Sequence, residues 1–163
     1  MINEKIQSVL NKQVSLEFYS AYMYLAMSCY FFEEGLYGFQ HWLKKQAEEE
    51  CEHAMKFINY IITQGAKVKL DALDTPPNEW NCHLCVMEAA LEHEKFISNA
   101  ILELSEVAEM ENDKATQNFL DEFINEQVEE EASFRNIIKR LKMVGDSESG
   151  WVLVDKELAD RSN

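Results

Sequence analysis

Residues 43–57 read LKKQAEEECEHAMKF. Leu43, Glu50 and Phe57 stand seven apart, so on a helix they share one face, and His53 follows Glu50 by one turn. The same design, an apolar row broken once by a polar group, recurs along the chain. Leu10, Glu17, Tyr24 and Phe31 form one row, and Met87, Glu94 and Ile101 another. A further row runs through Leu120, Gln127, Phe134 and Leu141, with Glu130 three residues after Gln127. Such rows need helices to carry them.

The breakers show where those helices end. Five Gly and two Pro punctuate 163 residues, and the stretches between them are rich in Leu, Glu, Met, Ala, Lys and Gln, all good helix formers. No stretch alternates with the period of a strand. The pattern predicts helices over 4–34, 38–64, 82–111 and 114–144, and a short one near 150–160. Gly65 reads as a C′ glycine, Glu111-Asn112-Asp113 as a turn, and 66–81, with Pro76-Pro77, as a long connection. Short links make two antiparallel hairpins, and the long one returns the second hairpin alongside the first. The expected fold is all-α: a single domain over 1–163, with a four-helix bundle at 4–144, a long crossover between helices 2 and 3, and a short fifth helix.

Fifteen Lys+Arg against thirty Asp+Glu leave a net charge of −15. That surface repels nucleic acid and anionic membranes and attracts cations. Hydrophobic residues at 47% are enough for a core. No apolar run approaches the ~18 residues of a membrane span, and Met1-Ile2-Asn3-Glu4-Lys5 does not lead into a signal peptide. A soluble, cytoplasmic protein is expected, with no nucleic-acid or membrane partner. On the same ground Cys29, Cys51, Cys82 and Cys85 read as reduced thiols.

Counted from the turns, Glu17, Glu50, His53, Glu94, Gln127 and Glu130 fall at similar distances, hence in one layer near mid-bundle. A lone carboxylate in a core costs several kcal/mol to desolvate, and four add mutual repulsion. No Lys or Arg interrupts the rows to neutralise them. Two divalent cations would. Carboxylates with one imidazole suit iron or manganese better than zinc, so the pattern points to a di-metal carboxylate site.

At these residues the chain resembles the ferritins, most closely the bacterial non-haem type, over nearly its whole length. The likeness includes Asn125-Glu126-Gln127 and Asp155-Lys156-Glu157-Leu158. The resemblance implies a ferritin-like fold and a ferroxidase centre. Glu17, Glu50 and His53 would hold a first iron, Glu50 would bridge to a second on Glu94 and Glu130, and Gln127 would stand close by. Tyr24 matches a tyrosine that hydrogen-bonds at the centre and donates an electron. Glu49, Glu126 and Glu129 match a third iron site sharing Glu130. Related di-iron proteins place Glu-x-x-His on the fourth helix too; Gln127-x-x-Glu130 replaces it here, implying a transit site. Haem binding in bacterioferritins uses a methionine after the bridging Glu, where this chain has Cys51, so no haem is expected. The implied function is oxidation of Fe(II) by O2 or H2O2 and storage of Fe(III) as a mineral in a shell of twenty-four subunits.

Cys82-His83-Leu84-Cys85 is half a zinc ribbon without a second half, and reads as two small apolar residues at a helix start. His41, His83 and His93 read as structural or surface residues outside the layer, and Trp42, Trp80 and Trp151 as packing or contact residues. Two alternatives stay open: a di-iron oxidoreductase or peroxidase that retains its metals, and a non-catalytic helical bundle subunit.

Overall fold

A computed structural model describes residues 2–161, leaving Met1, Ser162 and Asn163 of the expected domain outside the described residues. Five helices follow in order: α1 (Glu4–Glu33), α2 (Tyr37–Thr63), α3 (His83–Met110), α4 (Lys114–Val144) and α5 (Glu148–Leu158). Among the described residues there is no strand, and no helix is long and apolar enough to cross a membrane.

Polar side chains start four of the helices. Asn3 Oδ1 accepts from Ile6 N at 2.9 Å, Asp113 Oδ1 from Thr116 N at 3.0 Å and Ser147 Oγ from Gly150 N at 3.2 Å. Cys82 Sγ accepts from Cys85 N at 3.0 Å, so the predicted start of α3 is its cap. Three helix ends share one geometry, in which the third residue past the helix bonds back to a carbonyl five positions earlier. The pairs are Leu36 to Phe31, Ala66 to Ile61 and Asp113 to Ala108. That geometry needs a left-handed residue, supplied by Gly35 (φ 74°), by Gly65 (φ 71°) and by Asn112 (φ 54°), a non-glycine type that tolerates it well. The turn predicted at 111–113 therefore stands.

α1 pairs with α2, and α3 with α4. The crossover leaves the end of α2 beside the start of α1, where Asn11 Nδ2 donates to Lys67 O at 3.0 Å and Asn11 Oδ1 accepts from Lys69 N at 2.6 Å. It arrives at the far end of α1, where Trp80 packs edge-on against Tyr30. α3 therefore runs opposite to α1. The apolar interior is two clusters rather than one. Tyr24, Met27, Phe31, Phe39, Leu43, Met87 and Phe134 fill the first, and Ile6, Leu10, Val14, Phe57, Ile61, Ile101, Leu120 and Phe123 the second. The boundary between them falls where the polar residues interrupt the rows.

α2 has no side-chain cap of its own. Asp155 of α5 provides one, its Oδ1 accepting from Gly38 N at 2.8 Å and Phe39 N at 2.9 Å. A methyl group on Gly38 would lie 1.7 Å from Asp155 O, so only glycine permits the approach.

One expectation is corrected. Cys82 and Cys85 are joined by a disulfide, while Cys29 and Cys51 are free and exposed. The expectation of reduced thiols rested on the absence of a secretory signal, which says nothing about how close two particular sulfurs lie. Here the cap geometry of a helix start brings two cysteines three residues apart to a Cα–Cα distance of 5.1 Å, within disulfide range.

Asp155→Ala should remove the α2 cap and loosen α5, costing about 1–2 kcal/mol in chemical denaturation; an unchanged midpoint would refute that role. Thiol titration of unfolded, unreduced protein should find two reactive cysteines per chain, rising to four after reduction.

Candidate di-metal centre

The six predicted residues of the layer come from four helices, and the packing brings most of them together. Glu17 (α1), Glu50 and His53 (α2) are buried, with one potential ligand atom from each lying within 4.8 Å of the others. His53 Nδ1 stands 3.1 Å from Glu50 Oε2, an orientation given by their i, i+3 spacing on α2. Across the bundle, Glu94 (α3) is buried and accepts a hydrogen bond from the Tyr24 hydroxyl. Gln127 Nε2 (α4) donates to Glu94 Oε2 at 2.9 Å, to Glu94 O at 3.2 Å and to Ser98 Oγ at 3.2 Å. Glu130, one turn on, is partly buried and faces α2 through Gln46.

The other three candidates are more exposed, and of them Glu126 touches the layer through His53. Glu49 is half-exposed and paired with Arg161. Glu126 Oε2 is 3.3 Å from His53 Nε2, while its Oε1 is 3.5 Å from Lys56 Nζ. Glu129 is exposed.

Two glutamines absent from the sequence reading support the layer. Gln13 Nε2 donates to Glu17 Oε1 at 2.7 Å, and Gln46 Nε2 donates to Glu130 Oε2 at 2.8 Å and Glu50 Oε1 at 3.3 Å. Each sits four residues before a carboxylate on the same helix, a spacing that places an amide against it. That spacing was the available signal. His93 is partly buried beside Tyr24, with its Nε2 2.7 Å from Ser20 Oγ, and desolvation lowers its pKa to about 4.

The electrostatics are those of carboxylates short of positive charge. Burial, then the Glu50 charge, raises the Glu17 pKa well above the ordinary range. Glu50 is raised likewise by burial and then by Glu94 and Glu130. Burial raises Glu94 against the hydrogen bonds from Tyr24 and Gln127. Glu130 is held up at about 7 by burial and then by Glu94. Burial and the neighbouring carboxylates also keep Tyr24 protonated well past its usual value. Within this group Glu17 Oε2 is buried with no hydrogen-bond partner. A buried carboxylate oxygen without a donor, facing a second carboxylate and an imidazole, fits a cation better than any alternative partner. The oxygen-rich donor set with a single nitrogen suits a first-row divalent metal.

Four helices around a carboxylate layer, with a short fifth at the C-terminal end, form the ferritin-like bundle. The family model described as "ferritin-like domain" matches residues 7–144, and the chain belongs to the ferritin family. It is similar to the bacterial non-heme ferritin of Bacteroides fragilis, 44% identical over 161 residues, covering 99% of this chain and all of that protein. A probable bacterial non-heme ferritin-like protein of Haemophilus influenzae is 35% identical over 162 residues, covering 99% of this chain and 98% of that one. Among solved structures, an open pore ferritin from the archaeon Archaeoglobus fulgidus superposes with a TM-score of 0.98 at 43% identity, covering 99% of this chain and all of that chain.

The pKa of Glu130 dictates a sign. Folded protein without metal keeps a proton that the unfolded chain releases near 4.5. Between that value and about 7 the folded state binds more protons, so stability falls as pH rises through the window. At about 1.4 kcal/mol per pKa unit, Glu130 alone contributes a loss of at most ~3 kcal/mol. Metal-free protein should therefore unfold at lower denaturant at about pH 8 than at about pH 5, and Glu130→Gln should reduce the difference by the share of Glu130 while the raised Glu17, Glu50 and Glu94 keep the rest. A pH-independent midpoint would contradict the assignment.

Proposed function

We propose that the protein stores iron and oxidises Fe(II) at this centre, using O2 or H2O2 as acceptor. The observation that carries the proposal is the enclosed Glu17–Glu50–His53 group, with its unpartnered carboxylate oxygen, on a ferritin bundle. Iron is the substrate and the cargo. Glu17 and His53 would hold one Fe(II), Glu94 and Glu130 a second, and Glu50 would bridge the two. Two Fe(II) yield two electrons; with two protons these convert O2 to H2O2, or H2O2 to two waters. Both acceptors balance, so either serves.

The surroundings favour passage over retention. Glu130 stands where related di-iron proteins carry the histidine of Glu-x-x-His, and Gln127 spends its amide hydrogens on Glu94 and Ser98. A site with fewer nitrogen donors releases ferric iron for hydrolysis and storage. Tyr24, hydrogen-bonded to Glu94, is placed to supply an electron. Glu49, Glu126 and Glu129 form a candidate third iron site beside Glu130.

Storage requires a container, and a shell of twenty-four copies is proposed on the ferritin family relationship and the archaeal ferritin likeness. The outer face of α1 and α2 carries an open apolar cleft of about 350 Å³ lined by Phe18, Ala21, Tyr22, Leu25, Ala47 and Leu73 among others. A cytoplasmic location and the absence of haem remain part of the same proposal.

Fe(II) added aerobically to the metal-free protein should produce a rapid absorbance rise on a very large particle. Glu50→Ala should slow that rise by orders of magnitude, since the bridge serves both iron positions, while the particle keeps its size. An unaffected rate would overturn the assigned centre.

A further inference from the structure

A positive side chain reaches the Gln46 side of the centre from the C-terminal end of the described residues. Arg161 lies past α5, in the last described residues. Its Nη1 donates to Trp42 O at 3.1 Å and to Gln46 Oε1 at 3.0 Å, and its Nη2 donates to the Glu49 carboxylate. The guanidinium carbon sits 4.5 Å from the centroid of the Trp42 ring, a cation–π geometry. The backbone is tied as well, with Arg161 O 2.9 Å from His41 Nε2. Only 19% of the side chain is exposed. Surface ion pairs between long side chains contribute little, but a planar fork held by three acceptors and a ring is fixed in place.

Two consequences follow for the carboxylates. Glu49, a residue of the candidate third iron site, already has a cation seated on it. Gln46 is polarised end to end: its carbonyl faces the guanidinium, so its amide hydrogens must face Glu130 and Glu50. A flipped amide would set donor against donor at Arg161 and oxygen against carboxylate at the centre.

We propose that Arg161 is a latch: its guanidinium occupies the cation position at Glu49, and the C-terminal tail must release before Glu49 can bind a metal. The inference rests on the di-metal reading and deepens it, by making this third position conditional on the tail. A divalent cation arriving at Glu49 carries more charge than the guanidinium it displaces, but it must break the contacts to Trp42 and Gln46 together. The latch therefore delays the third cation without abolishing it. It also couples tail release to the amide of Gln46, which is then free to turn.

The test uses Zn(II), which binds oxygen and nitrogen donors without redox chemistry, added to the assembled protein and followed by equilibrium dialysis. Arg161→Ala should bind one more Zn(II) per chain than wild type at low concentration. That extra cation should bind roughly tenfold to hundredfold more tightly than in wild type, the range expected for removing a charge-assisted competitor. The double variant Arg161→Ala/Glu49→Gln should lose it again. Equal isotherms for wild type and Arg161→Ala would overturn the latch, as would an extra cation that persists in the double variant. The di-metal centre is read separately: Glu17→Ala should lower the Zn(II) count whether or not Arg161 is present, and its failure to do so would sink that reading while leaving the Arg161 comparison intact.

Discussion

Negative charge held inside a helical core is the constraint around which this molecule is arranged. Glu17, Glu50 and Glu94 are buried, and Glu130 is partly so. Their pKa values are pushed up because burial and mutual repulsion both disfavour ionisation. Hydrophobic packing alone would expel such groups. They stay because each is fixed on a helix whose other residues are locked in apolar clusters above and below the layer. The strain of the layer is thus carried by packing on either side of it, and relieved by cations when they bind.

Uncharged amides make that arrangement tolerable without cancelling its charge. Gln13, Gln46 and Gln127 each donate to one or more of the carboxylates, and each is itself buried. A lysine in any of these places would neutralise the layer and compete with metal. An amide orients a carboxylate oxygen and leaves its charge available. Glu17 shows the result most plainly: one oxygen is held by Gln13 and the other has no protein partner.

The parts remote from the layer serve to hold it in register. Asn11 ties the crossover to the start of α1, and Trp80 meets Tyr30 at the far end, so the second hairpin enters at a defined height. Asp155 of α5 caps α2, the helix that supplies both Glu50 and His53. The C-terminal segment then continues to Arg161, which reaches back to Gln46 and Glu49. The layer is thus framed by the crossover and the C-terminal segment as well as by the four helices.

Much of this was legible in the order of residues. Helix periodicity is local, and breakers act within a few positions, so five helices, the turn at Asn112 and the crossover could be read with errors of one or two residues. The meeting of Glu17, Glu50 and His53 followed from rows and turns, because antiparallel hairpins convert distance from a turn into height in the bundle. Contacts between residues far apart in the chain had no such ruler. The pairing of Arg161 with Glu49 and the capping of α2 by Asp155 depend on where a short terminal helix docks, which no local period encodes. The disulfide between Cys82 and Cys85 was missed for the opposite reason: it is local, but it depends on the cap geometry at the start of α3 rather than on composition. Local pattern determined the helices and the height of their polar groups, whereas docking in three dimensions decided which partners each polar group found, because hydrogen bonds and ion pairs require ångström-scale placement that sequence spacing does not specify beyond one helix.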